Sequence, residues 1–168
     1  TNQNMIAHIP DNLSFEEAAS IPEVFITSFD AIVNQCKLEM GESLLIHAVG
    51  SGVGTAAVQI AKSLGVRTYG TSGSDVKLGH AKDLGLDVSI NYNKEDFFEV
   101  ISEETDGKGV DVVLDVVGAP YWSKNIQVLS SMGRLVLVGT MGGSSLEIDF
   151  GQLMQKRLKI FGTVLRAR

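Results

Sequence analysis

The 168-residue chain carries one cysteine, Cys36, so no intrachain disulfide is available and the thiol content suits a reducing, cytoplasmic setting. No apolar run is long enough to span a bilayer, so no membrane partner is expected. The opening Thr1-Asn2-Gln3-Asn4 lacks the basic-then-apolar order of a secretory signal. Basic residues are in deficit: the formal charge is −6, which argues against a nucleic-acid partner. Histidine is equally sparse. His8, His47 and His80 are scattered, and with a single cysteine they do not suggest a zinc site, so no metal is expected. A Tyr-x-x-x-Lys proton-transfer pair is absent, because Tyr121-Trp122-Ser123-Lys124 has the wrong spacing. No Ser/His/Asp arrangement stands out, and no catalytic residue is assigned within the chain.

What is present is an ordinary globular composition, 44% apolar and 20% charged, long enough for one domain with a real core. Ser14 and Glu17 form a capping box that starts a first helix. Pro22 breaks that helix, and a second is expected from about Glu23 to Lys37. Strands and helices then alternate. Strands are expected at Leu44–Val49, Val66–Thr71, Val88–Asn91, Val112–Val117 and Leu135–Gly139, with a sixth near Leu158–Gly162. Helices are expected near Val53–Leu64, Asp75–Leu84, Lys94–Glu104 and Pro120–Ser131. Gly65, Gly85 and Gly133 each follow a helix, where a left-handed residue is wanted. Runs such as Val112-Val113-Leu114 are apolar on both faces, as in a parallel sheet covered by helices. The expectation is an α/β, doubly wound parallel sheet of about six strands, with its ligand at the carboxyl ends of the strands.

The richest stretch is Leu44-Leu45-Ile46-His47-Ala48-Val49-Gly50-Ser51-Gly52-Val53-Gly54-Thr55, in which an apolar strand enters a glycine-rich turn and a helix leaves it. That order of parts places a dinucleotide pyrophosphate on a helix N-terminus. It departs from strict G-x-G-x-x-G, since Val49 and Ser51 occupy glycine positions of that pattern. A bland reading is a tight turn with glycines for backbone geometry alone. Gly50-Ser51-Gly52-Val53-Gly54 also spells the G-x-G-x-G of many methyltransferases, but His47-Ala48-Val49 lacks the acid usual before that turn.

A site for NAD usually closes its second strand with an acid on the ribose hydroxyls. Here that stretch is Gly70-Thr71-Ser72-Gly73-Ser74, and no acid comes before Asp75. Hydroxyls, backbone N–H groups and a lysine accept a 2′-phosphate that a carboxylate would repel, so NADPH held by Gly73, Ser74 and Lys77 is expected. The plain alternative makes Ser74 a helix cap and Lys77 a solvated lysine. His47 is read as a satisfied core histidine, Asp115 as an acceptor for nearby backbone, and Lys156-Arg157 with Arg166 and Arg168 as a solvated or interdomain surface.

These residues resemble the zeta-crystallin-like quinone oxidoreductases of the medium-chain dehydrogenase/reductase superfamily. The likeness runs through LSFEEAASIPEVFITSFDAI, HAVGSGVGTAAVQIAKSLG, INYNKEDF, GVDVVLDVVGAPYWSKN, GRLVLVGTMGG and KRLKIFGTVLRAR, essentially the whole chain. The resemblance implies a zinc-independent, NADPH-dependent Rossmann domain in which Ser51, Gly52 and Val53 cradle the pyrophosphate. It implies that Tyr92 stacks near the adenosine and joins Lys77, Gly73 and Ser74 around the 2′-phosphate. It places Val116, Gly139, Thr140 and Met141 at strand ends beside the cofactor, and Thr27 and Leu165 near the nicotinamide. It also implies a β-rich, GroES-like catalytic domain elsewhere, to which residues 1–12 connect. Residues 13–168 form the cofactor domain, and the chain is expected to be a piece of a longer protein.

The activity so implied is hydride transfer from NADPH to a quinone or enone. An enoyl reductase of polyketide-synthase type shares the same turn, and a non-catalytic or RNA-interacting zeta-crystallin-like role is the alternative from another class. A homodimer through the edge strand near residues 158–164 is implied as well.

Overall fold

A computed structural model describes residues 6–165. Ser14 accepts from Glu17 N–H while the Glu17 carboxylate accepts from Ser14 N–H, closing the capping box that opens α1 (Phe15–Ala19). Pro22 takes the first position of α2 (Pro22–Phe29), where its missing N–H leaves no bond unmade. The expected helix over 23–37 is in fact two segments, because α2 passes into a wide π-type turn over Asp30–Gln35. There follow β1 (Ser43–Ile46), α3 (Gly52–Ser63), β2 (Arg67–Ser72), α4 (Asp75–Asp83), β3 (Val88–Asn91), α5 (Phe97–Glu104), β4 (Val110–Asp115), α6 (Trp122–Val128), β5 (Leu129–Leu137), α7 (Phe150–Lys156) and β6 (Lys159–Gly162).

The six strands form one all-parallel sheet in the order β3-β2-β1-β4-β5-β6. This is the expected doubly wound α/β fold, and the winding reverses between β1 and β4. Adjacent side chains of one strand enter opposite cores. Leu44 and Ile46 pack with Ala57, Ala61 and Ala81 on the α3/α4 face. Leu45 packs with Phe97, Ile101 and Ile126 on the α5/α6 face. That alternation explains why the strands are apolar on both sides.

Three details differ from the sequence-based expectation. The strands at the switch point stop earlier, at Ile46 and Asp115, which frees His47–Gly50 and Val116–Gly118 to form turns. Gly65 and Gly85 have the expected positive φ, +68° and +112°, but Gly133 does not. Helix α6 ends at Val128 and β5 starts at Leu129. The left-handed residue is Met132, φ +64°, within an irregular stretch of the β4–β5 pairing, and Gly133 is favoured because a Cβ there would lie 2.9 Å from the Ser130 carbonyl oxygen. Helix α7 has no counterpart in the sequence-based expectation; Asp149 caps it by accepting from Gly151 N–H.

Candidate functional site

A cleft of about 420 Å³ opens at the carboxyl ends of the strands, over the switch point. Its walls are Ala48, Gly50 and Ser51 after β1, Thr71 and Ser72 at the end of β2, Lys77 from α4, Tyr92 after β3, Val117 and Tyr121 after β4, and Met141 after β5. Every sheet-derived wall comes from the end where an open α/β fold binds ligands.

The turn out of β1 is built for close approach. Ala48 adopts φ +51°, a left-handed conformation that costs a non-glycine residue energy. Ser51 caps α3 by accepting from Gly54 N–H at 3.1 Å. A Cβ on Gly54 would sit 2.6 Å from the Val49 carbonyl oxygen, so only glycine lets the helix start this near the strand. A Cβ on Gly50 would fall 2.7 Å from Lys77 Cβ, so the bare glycine surface lets the lysine stem lie against the turn. Among the described residues no acceptor takes the N–H groups of Gly52 or Val53. These free donors belong to the positive end of the α3 dipole, a combination that attracts anions.

At the end of β2 the chemistry is cationic. The Lys77 ammonium makes no ion pair or hydrogen bond with a described residue. The first acid after the strand, Asp75, is already engaged. Its two oxygens accept from Asn91 Nδ2 at 2.6 Å and Lys94 Nζ at 2.7 Å, and the Lys94 bond holds its carboxyl below the usual range. Gly73 lies against Tyr92: a Cβ on the glycine would meet the tyrosine hydroxyl at 2.6 Å. Asn93 Nδ2 donates to the Gly73 carbonyl at 3.0 Å and holds that turn.

Of the residues singled out from the sequence, the structure brings Ser51, Lys77, Tyr92 and Met141 into one cleft, with Gly73 packed behind Tyr92. Gly52 opens α3 beside Val24, Val53 leans on the α3/α4 core, and Ser74 caps α4. Val116 sits one residue behind the wall; its carbonyl accepts from Met141 N–H at 3.1 Å, and Gly139 packs against that carbonyl. Thr140 is exposed and packs behind Gly118. Thr27 is buried in α2 and donates its hydroxyl to the Glu23 carbonyl at 2.7 Å; neither it nor the half-buried Leu165 lines the cleft. Arg166 and Arg168 lie outside the described residues, whereas Lys156 donates to the carbonyls of Ile126, Gln127 and Leu129 at the end of α6. Thr71 and Ser72 lie in the hydroxyl-rich stretch at the end of β2 without being singled out from the sequence, and Val117 and Tyr121 are not singled out either; the signal available for Tyr121 is an aromatic three residues past the turn glycine Gly118.

Behind the cleft His47 is wholly buried, and burial pushes its pKa down to about 4. As expected from the sequence, it is a satisfied histidine and Asp115 an acceptor for backbone N–H groups.

A family model described as zinc-binding dehydrogenase matches residues 52–168. Among the described residues no three His, Cys, Asp or Glu side chains come together to hold a metal. Over 139 residues, 83% of this chain, it is 37% identical to a phenolphthiocerol/phthiocerol polyketide synthase of Mycobacterium tuberculosis, of which it spans 6%. An Escherichia coli quinone oxidoreductase solved in complex with NADPH superposes with a TM-score of 0.87 at 34% identity, over 96% of this chain and 50% of that one. An NAD-dependent alcohol dehydrogenase gives 0.86 at 40% identity, over 93% of this chain and 46% of that one. The chain thus spans at most about half the length of these proteins. No helix among the described residues is long and apolar enough to cross a membrane. From the sheet order, the glycine turn and the family match together, the chain belongs to the zinc-binding dehydrogenase family of medium-chain dehydrogenases/reductases.

Proposed function

We propose that this chain is the NADPH-holding domain of an oxidoreductase that reduces a quinone or an activated alkene. The observation that carries the reading is the Lys77 ammonium, unpaired among the described residues beside the Gly50 turn while Asp75, the first acid after the second strand, is bound by Lys94 and Asn91. A ribose hydroxyl pair wants a free carboxylate there; a 2′-phosphate wants a free cation. Ser51, with the N–H groups of Gly52 and Val53, would hold the pyrophosphate. Lys77, Gly73, Ser74 and Tyr92 would hold the adenosine 2′-phosphate end. Val116, Gly139, Thr140 and Met141, together with Thr27 and Leu165, would flank the nicotinamide. The chemistry supplied by the bound cofactor is hydride donation; the work of these residues is to bind, orient and exclude water.

Substrate contacts would come largely from a catalytic domain outside this chain, to which residues 1–12 connect. An enoyl reductase acting on a thioester-linked alkene is the second reading, supported by the 37% identity to a polyketide synthase. Assay of the full-length parent with quinones and with enoyl thioesters separates the two. A homodimer paired through the outer edge of β6 and a cytoplasmic location complete the proposal; β6 ends the sheet, and an open edge invites pairing.

Calorimetric titration with NADPH and NADH tests the reading. A preference for NADPH that Lys77→Ala or Tyr92→Ala removes is expected. A preference for NADH overturns it.

A further inference from the structure

The proposed function leaves His47 unused, yet its imidazole is tied to several walls of the cleft. Nδ1 lies 3.0 Å from Thr71 Oγ1 and Nε2 lies 2.7 Å from Asn125 Oδ1. Asn125 Nδ2 donates to Asp115 Oδ2 at 3.0 Å. Asp115 Oδ1 accepts from the N–H groups of Val117 at 2.6 Å and Gly118 at 3.1 Å. The ring also stands edge-on to Tyr121 and Phe97, with centroids 4.7 and 4.9 Å away. Thr71, Val117 and Tyr121 are cleft walls, and the chain leaving His47 becomes the glycine turn itself. One buried side chain thus links the ends of β1, β2 and β4 with α6.

This chain of bonds has a single polarity. A carboxylate only accepts, so Asn125 must turn its nitrogen to Asp115 and its oxygen to His47. That oxygen requires a hydrogen on Nε2. Nδ1 is then a bare lone pair and accepts from the Thr71 hydroxyl. The tautomer of a ring that touches no solvent is dictated by a carboxylate two links away. A histidine kept for packing alone would carry no such constraint.

We propose that His47 is a positioning residue, whose Nε2–H tautomer locks the Thr71 wall and the Val117–Gly118 turn at the spacing that admits the dinucleotide. This rests on the NADPH reading, so the tests are arranged to separate the two. Histidine side-chain nitrogen–proton NMR of the unmodified chain reads the tautomer and needs neither cofactor nor variant. The Nε2–H form is expected; an Nδ1–H form or a mixture overturns the proposal. In Asp115→Asn, Val117 and Gly118 still demand an acceptor, so the new amide nitrogen faces Asn125. Asn125 turns over and the ring hydrogen moves to Nδ1, a reversal that a ring held by packing alone does not produce.

Affinity supplies the second arm. His47→Gln keeps a donor for Asn125 but turns its acceptor oxygen away from the Nδ1 position that meets Thr71, and Thr71→Val breaks the same bond from the other side. Each is expected to weaken NADPH binding about tenfold at a temperature where the chain is folded, with the double variant no worse than either single one. Affinities within twofold of the unmodified chain, with only the melting temperature lowered, overturn the proposal. If the unmodified chain binds neither nucleotide, the NADPH reading fails on its own. The positioning of the walls is then judged from the amide resonances of Gly50, Ser72 and Val117, which His47→Gln is expected to shift. Unmoved resonances overturn it.

Discussion

The two ends of the parallel sheet hold cavities of nearly equal size, about 420 Å³ at the carboxyl end and about 390 Å³ at the amino end. Volume therefore does not distinguish them; the half-buried, paired charges of the amino end do, since Lys37, Glu39 and Lys159 lining that cavity are as exposed and as unpaired among the described residues as Lys77. At the amino end Arg134 clasps both carboxylate oxygens of Glu42 and donates through Nε to the Cys36 carbonyl at 2.9 Å. Asp111 accepts from Ser43 N–H at 2.9 Å, Ser43 Oγ at 2.8 Å and Ser130 Oγ at 3.2 Å. Burial pushes the Cys36 thiol up to about 12, which leaves it unreactive. At the carboxyl end the Lys77 ammonium, the Tyr92 and Tyr121 hydroxyls and the first N–H groups of α3 make no hydrogen bond to a described residue. Spent polar groups hold a fold together, whereas unspent ones beside a cavity are available to a ligand.

The strongest way to break this contrast is to fill the gap that lets α3 begin. Gly54→Val would drive a branched side chain against the Val49 and Ala48 carbonyls, so a loss of more than about 3 kcal/mol and of nucleotide binding is expected, read by thermal melting and titration. Nearly as large is an acid effect at the carboxyl end. The His47 pKa is depressed from about 6.5 to about 4, so its neutral form stabilises the fold fully above pH 6.5. That stability, about 3 kcal/mol, is lost as pH falls from 6.5 through 4. Burial raises Asp115, which acts in the opposite sense, so the difference between the unmodified chain and His47→Gln isolates the histidine. An acid slope just as steep in His47→Gln as in the unmodified chain refutes the assignment.

At the amino end, Arg134→Met leaves Glu42 unpaired in a partly screened site and is expected to cost about 2 kcal/mol of stability. NADPH affinity should stay unchanged; a coupled loss would mean that the two ends are not independent. The smallest effect sharpens the contrast most. Lys77→Ala is expected to weaken NADPH binding by about 1.5 kcal/mol, roughly tenfold, with NADH unaffected and the melting temperature barely moved.

Much of the scaffold was legible because its causes are local. Ser14-x-x-Glu17 and the Ser51 cap are contacts between residues three apart, and the apolar runs name buried strands wherever they fall. Failures came where local signals conflict. The helix expected to run to Ser131 gives way to β5 at Leu129, since the pairing of Leu129 with Val110 outweighs helical spacing. Helix α7 went unnoticed because Phe150-Gly151-Gln152 reads as loop until Asp149 caps it. In the candidate site, Ser51, Lys77 and Tyr92 are readable from motif and resemblance, while Tyr121 is not, since it belongs to no local pattern, and the contact of Thr71 with His47 is long-range.

By itself the sequence determined the order of the strands and of every helix but α7, the glycine turn at the end of the first strand, and the lack of an acid before Asp75. Only the tertiary structure decided that Asn125 meets His47 across 78 positions, that Asp75 is taken by Lys94, and that Lys77 is left without a partner among the described residues. The physical reason is range. Caps and periodicity are settled within a turn or two of chain, but whether a polar group is spent or free depends on which distant strand end lies beside it, and that is set by the order of the sheet.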